Sequence, residues 1–268
     1  MKKTLLSLTT LVFTLFASFT IAKNSTTILK IAADVTPHTE LLEFIQSDIK
    51  KQNIELKIYT ITDPTLVNAQ TSDGELDANF FQHIIYMKTQ TKDRHLDLVN
   101  AGNIHIEPMG IYSEKYKSIS ELPDNAKIAI NNDSTNEYRV LIMLEKAGLI
   151  RLKSDIKPFT ASINDIEKYL KPIQIVELDP SLITRLRKEF DAYSTWSNKI
   201  LEANIDLQKT RIFSEEKNST YVNIIATNSK RINDPAIKIL VKTLRSDKVK
   251  KFIETKYKGS VVLAPNLY

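Results

Sequence analysis

The sequence contains no cysteine. It can therefore build no disulfide, no zinc–thiolate cluster and no thiol nucleophile. Five glycines and one tryptophan in 268 residues are also few. Neither a Walker loop nor a Gly-x-Ser-x-Gly elbow is present, so nothing in the sequence supports catalysis. The four histidines, His38, His83, His95 and His105, never pair at i, i+4. A metal would have to gather ligands from distant segments, and no metal or other cofactor is expected. Charge of one sign is lacking too. Lys and Arg number 37 against 32 acids, in mixed clusters with no basic face for nucleic acid. Low-complexity tracts and internal repeats are absent.

One long apolar run is present, and it lies at the N-terminus. Met1-Lys2-Lys3 is basic, Thr4 to Phe19 is apolar, and Thr20-Ile21-Ala22 offers a small residue for cleavage before Lys23-Asn24-Ser25. This reads as a secretory signal peptide over residues 1–22. Its removal takes away two lysines, leaving 35 basic against 32 acidic side chains and a net charge of about +3. With no cysteine after the cleavage site to carry a lipid, the expected product is periplasmic and not lipid-anchored.

The remaining chain is long enough for one large core or two small ones. Strands are expected at 28–33, 54–59 and 76–81, with helices at 39–51, 64–72 and 82–91 between and after them. That alternation is the pattern of a parallel sheet with helices on its faces. Extended runs follow at 96–101 and 104–112. Pro108 and Gly110 argue against a central strand there and suit a segment passing from one lobe to another. A second α/β unit opens with Lys127–Ile130, a polar loop, and a helix from Glu137 to Ala147 with Ser134 and Glu137 as its capping box. Further strands are expected at 173–178, 189–193 and 221–226, with helices at 181–188, 194–202, 234–244 and 247–256. The fold class is α/β with two lobes and extended crossovers. Lobe 1 is placed at 24–108 and lobe 2 at 109–225, with the C-terminal helices of 226–268 packing back across both. Such a shape suits hinge closure around a small ligand.

The chain is organised around Asp73-Gly-Glu-Leu-Asp-Ala-Asn-Phe-Phe-Gln-His83, followed by Ile84-Ile85-Tyr86. Asp73-Gly74 is a turn. A short strand then meets a helix, and ligands of open α/β sheets bind at the carboxyl ends of strands. Phe81 and Tyr86 offer an aromatic sleeve, which suits an apolar or thioether side chain, or else they are plain core. His83 and the amides add hydrogen-bonding groups. In the second unit, Arg139 shares a helix face with Asn136 one turn earlier. Near a helix N-terminus that guanidinium fits a carboxylate, or else it is a solvated surface arginine. Asn223 lies mid-strand between apolar residues and either faces solvent or needs a polar partner.

The run Asp-Gly-x-Leu-Asp-Ala-Asn-x-Phe-Gln-His resembles the signature of the methionine-binding lipoproteins of ABC importers, the MetQ/NlpA family. The similarity extends through Leu98-Val-Asn-Ala-Gly-Asn103, Asn132-Asp-Ser-Thr-Asn136 with Arg139, Lys146-Ala-Gly-Leu-Ile150, Ile175-Val-Glu-Leu178 and Ser219-Thr-Tyr-Val-Asn223. The resemblance implies a type II-like periplasmic-binding-protein fold and delivery of a ligand, L-methionine or a related amino acid, to an ABC permease–ATPase complex by a monomeric, non-enzymatic protein. It places ligand contacts on Phe81, His83, Tyr86, Asn136, Arg139 and Asn223. Arg139 would take the carboxylate and the aromatic rings the side chain.

Three departures from the family pattern stand out. The lipid-bearing cysteine is missing. Pro64 replaces an aromatic ring in Asp63-Pro-Thr-Leu-Val-Asn68. A family asparagine falls in the shortened Asp191-Ala-Tyr-Ser-Thr-Trp196, where Tyr193 or Ser194 takes its place. The alternatives are a binder of methionine-type dipeptides, or an exported interaction protein that has lost transport.

Overall fold

The computed structural model describes residues 25–61, 63–216 and 219–265. The expected signal peptide lies outside the described residues. No helix among them is long and apolar enough to cross a membrane.

Two sheets organise the chain. In spatial order the first comprises Val262–Leu263, Val99–Ile106, Val222–Thr227, Ala78–Phe80, Thr27–Ala33 and Ile54–Thr60. The last three strands are mutually parallel, and the returning strand Val222–Thr227 runs antiparallel to Ala78–Phe80 and Val99–Ile106. The second sheet orders Arg211–Ser214, Met109–Tyr112, Ala192–Trp196, Ala126–Asn131 and Ile173–Leu178. It too has a parallel half and an antiparallel half. This is the expected two-lobed α/β architecture.

Sequence pattern explains the local structure. Ile54-Glu-Leu-Lys alternates buried and exposed positions along its strand, the period-2 signature of a sheet with one covered face. The helix Glu40–Lys50 buries Leu41, Leu42, Ile45 and Ile49, a stripe at helical spacing. Pro64–Asp73 begins with Asp63 accepting from the Thr65 and Leu66 N–H groups and ends at Gly74 with φ of 84°. Glycine adopts that left-handed conformation without steric cost.

The returning strand changes the lobe boundaries. Val222–Thr227 was expected to close the second lobe, yet it lies inside the first sheet. Its Ile224, Ile225 and Ala226 are fully buried there. The helices Pro235–Leu244 and Asp247–Tyr257 likewise pack into the first-lobe core rather than across both lobes. Ala236, Ile237, Leu240, Leu244, Val249 and Ile253 share one cluster with Leu29, Ile31, Leu41 and Phe80. Their apolar stripes can be covered only by a sheet face, and the first lobe supplies it. The chain therefore crosses between sheets twice, at Glu107–Pro108 and again between Ser214 and Val222. A short hairpin, Ile150–Leu152 with Ile166–Tyr169, is appended to the second lobe.

Candidate functional site

The cleft between the lobes has a volume of about 780 Å³. The first lobe contributes Phe81, His83, Tyr86 and Asn223 to its wall, and the second contributes Asn136 and Trp196. The carboxyl end of Ala78–Phe80 and the N-termini of two helices meet there, as expected for an open α/β sheet.

The focal motif is held from below by a buried amide cluster. Gln82 Nε2 donates to Asn68 Oδ1 at 2.6 Å and to Asn79 Oδ1 at 2.8 Å. Asn68 Nδ2 returns a bond to Gln82 Oε1 at 3.1 Å. Asn79 Nδ2 donates to Asn68 Oδ1 and to Thr71 Oγ1. All four residues are buried. The motif's polar residues thus divide into two sets. Asn79 is tied to Asn68 and Thr71 beneath the wall, while Gln82, His83 and the aromatic rings reach the cleft.

His83 caps the helix Ile84–Arg94, its Nδ1 accepting from the Tyr86 N–H at 3.0 Å. That bond fixes the tautomer, so Nε2 carries the proton and donates across the cleft to Asn136 Oδ1 at 3.2 Å. Burial, then the Arg139 charge, push the His83 pKa down to about 3, and the imidazole is neutral at physiological pH. Asn136 in turn donates to both oxygens of Asp133. Asp133 is the residue that caps the helix Ser134–Lys146, not the expected Ser134. The Glu137 carboxylate instead accepts from the Ile163 N–H.

The two lobes are also joined at the cleft mouth. Asn198 Nδ2 donates to the Thr36 carbonyl at 2.8 Å, and Lys199 Nζ lies 3.2 Å from Asp34 Oδ2. Phe81 and Tyr86 are half-buried with ring centroids 6.3 Å apart, edge to face. They form one apolar wall, and Trp196 projects from the other lobe.

Arg139 departs from expectation. It is buried and does not line the cleft. Its Nε donates to Glu215 Oε2 at 2.8 Å, and its Nη2 bonds to Glu215 Oε1 and to the Glu107 carbonyl at 3.0 Å. The guanidinium also stacks over the Tyr221 ring, 4.2 Å from its centroid. Glu215 and Glu107 stand on the two crossovers, so Arg139 ties them together. Among the described residues, Nη1 makes no hydrogen bond.

Tyr193 is a correction. It is 1% exposed and packs in the second-lobe core with Tyr112, Ala129, Ile183 and Ile200. In the strand Ala192–Trp196 successive residues alternate faces. Ser194 is buried as well, donating to Asn131 Oδ1. Trp196, at the strand's carboxyl end, reaches the cleft instead.

The family model described as NlpA lipoprotein matches residues 29–264. The chain belongs to the NlpA lipoprotein family. It is 39% identical over 236 residues to the methionine-binding lipoprotein MetQ of Bacillus subtilis, covering 87% of this chain and 86% of that one. A nutrient-binding protein from Burkholderia cenocepacia, solved bound to methionine, superposes with a TM-score of 0.84. It is 36% identical and is matched over 88% of this chain and all of its own. Lipoprotein Tp32 of Treponema pallidum gives a TM-score of 0.86 at 29% identity, with 90% and 100% of the two chains covered.

Membership in the NlpA family corrects the localisation expected from the sequence. That expectation was a periplasmic protein with no lipid anchor. The family and the Bacillus relative are both named as lipoproteins, which conflicts with it. The absence of cysteine does not by itself make a family member unanchored.

Several cleft residues escaped the sequence reading. Glu107, Lys199 and Trp196 line the cavity, and Glu215 engages Arg139. An acid between Ile106 and Pro108, at the end of an apolar strand, is the one signal that could have marked Glu107. Glu215 carries no such mark, because its partner lies 76 residues away.

Proposed function

We propose that this NlpA-family protein is an exported solute-binding protein. It binds methionine or a closely related amino acid between its lobes and presents it to an ABC permease–ATPase complex. The observation that carries the reading is the cleft itself. One aromatic wall from Phe81 and Tyr86 faces amides and charges contributed by both lobes. The methionine-bound Burkholderia relative and the methionine-binding Bacillus relative supply the ligand class.

In this reading the thioether side chain lies against Phe81 and Tyr86, where sulfur–aromatic contact contributes roughly 0.3–1.5 kcal/mol. Asn136 and Asn223, which line the cleft, meet the α-carboxylate. The cleft's charge balance favours an ammonium on the ligand. Among the described residues, Asp34, Asp63, Glu107, Asp133, Asp179 and Glu202 are six lining carboxylates, against Lys199 as the one lining lysine or arginine. No reaction is assigned to the site.

Calorimetric titration with L-methionine tests this. The wild type is expected to bind one molecule per chain, and Asn223→Ala to weaken it by about tenfold or more, the loss of one buried hydrogen bond to a charged group. Unchanged affinity in Asn223→Ala would remove that residue from the site. A second reading, a methionine-type dipeptide, is favoured by Pro64, which lines the cleft where the family pattern has an aromatic ring and so leaves more room. Tighter binding of a methionyl dipeptide in the same titration would select it.

A further inference from the structure

Three buried side chains converge where the first crossover leaves the first lobe. His105 lies in Val99–Ile106, opposite Asn223 in the sheet register. Glu107 follows directly on that strand, and His38 precedes the helix Glu40–Lys50. His105 Nε2 is 2.8 Å and His38 Nε2 3.4 Å from the same Glu107 oxygen. One potential ligand atom from each residue lies within 4.8 Å of the others.

The arrangement leaves two needs unmet. A carboxylate removed from water requires a cation or a full set of hydrogen bonds. Among the described residues, Glu107 Oε1 meets the two imidazoles and no lysine or arginine at ion-pair distance; Arg139 reaches its backbone carbonyl instead. Secondly, Nδ1 of both His38 and His105 is buried with no hydrogen-bond partner among the described residues. Each ring therefore leaves one nitrogen unsatisfied in either tautomer. Moving the proton from Nε2 to Nδ1 gives up no hydrogen bond at Nδ1, and it turns both Nε2 lone pairs toward the space beside Glu107.

We propose that His38, His105 and Glu107 bind a first-row divalent cation, zinc in the first instance, beside the cleft. Two imidazole nitrogens and one carboxylate oxygen are a zinc donor set that leaves a fourth position for water or a bound molecule. Ligand atoms about 2.0–2.2 Å from a tetrahedral ion stand roughly 3.4 Å apart. The His38–Glu107 separation already has that value, and the His105–Glu107 pair must open by about half an ångström, which loss of its hydrogen bond allows. Glu107 and Asn223 both line the cleft, and Asn223 Oδ1 is 3.3 Å from His38 Nε2. An ion thus has an entry path and a further oxygen close by. Glu107 belongs to both this set and the cleft wall, so zinc is titrated in the absence of amino acid.

The test uses the tag-free protein, stripped with chelator, with no amino acid added. Titration with zinc chloride is expected to saturate at one ion per chain, and cobalt chloride to give visible absorption bands of a tetrahedral site. Glu107→Gln keeps the shape and removes the charge, and is expected to weaken zinc binding by about 100-fold or more. Ring-nitrogen NMR of the wild type reads the site without any substitution. The His38 and His105 signals shift with zinc while exposed His95 does not, which decides the matter even where the variant fails to fold. No saturable binding, or saturable binding with the His38 and His105 signals unmoved, overturns the proposal. Either result leaves the calorimetry with methionine unaffected.

Discussion

Arg139→Ala is expected to destabilise the protein by about 3–5 kcal/mol, the cost of breaking a buried ion pair from one side. Glu215, whose side chain is 11% exposed, would be left charged in a site built around a guanidinium. The same carboxylate accepts from the Met109 N–H at 2.8 Å, so the loss spreads into both crossovers. The cation–π contact with Tyr221 is lost as well. Urea denaturation of Arg139→Ala, Glu215→Ala and the double variant measures the effect. A coupling energy above about 1.5 kcal/mol is expected, because the two side chains act as one unit. Additive losses would show that Arg139 stands alone, with its fork available to ligand. Arg139→Lys is expected to rescue little, since an ammonium cannot reproduce two parallel bonds to one carboxylate. Methionine affinity falls in Arg139→Ala indirectly, because the two crossovers that Arg139 ties together loosen.

Asn68→Ala is expected to cost about 3 kcal/mol or more. The substitution leaves Gln82 Oε1 without a partner and removes one of the two bonds made by Gln82 Nε2 and by Asn79 Nδ2. Each buried polar group left unsatisfied costs about 1–3 kcal/mol, and a half-satisfied network is worse than none. Gln82 precedes His83 directly, and its carbonyl accepts from the Ile224 N–H at 3.1 Å. Methionine binding should therefore weaken although Asn68 lies beneath the cleft wall. Urea midpoints read the stability change, with the slope unchanged if the unfolded state is unaffected. A loss below 1 kcal/mol would mean that water replaces the missing amide and that the cluster contributes little.

Legibility in the sequence followed distance along the chain. Asp63 before Pro64, the turn at Gly74, and the stripe Leu41, Leu42, Ile45 and Ile49 are local signals, and the elements they mark are present. The aromatic wall was legible because Phe81, His83 and Tyr86 fall within six residues at one strand-to-helix junction. Pairings over long separations were not legible. Val222–Thr227 has the apolar run of any buried strand, and nothing in those six residues says which sheet it joins. Arg139 was read as open to a ligand because its helix and Asn136 are local, while Glu215 is not. Tyr193 was misplaced for a related reason. In a strand the face alternates at every residue, so a shift of position within Asp191–Trp196 exchanges core for cleft. The structure puts Tyr193 in the core and Trp196 at the cleft.

The central claim is that the cleft carries a methionine-like amino acid. Mass spectrometry of small molecules released on denaturing freshly purified protein tests it most directly. A nanomolar complex, held by about −12 kcal/mol, survives purification. Methionine, or a methionine-containing dipeptide, released at close to one molecule per chain is the expected result. Stoichiometric release of a ligand with neither a thioether nor an α-ammonium group would contradict the account. So would the absence of any released molecule, combined with no calorimetric response to methionine.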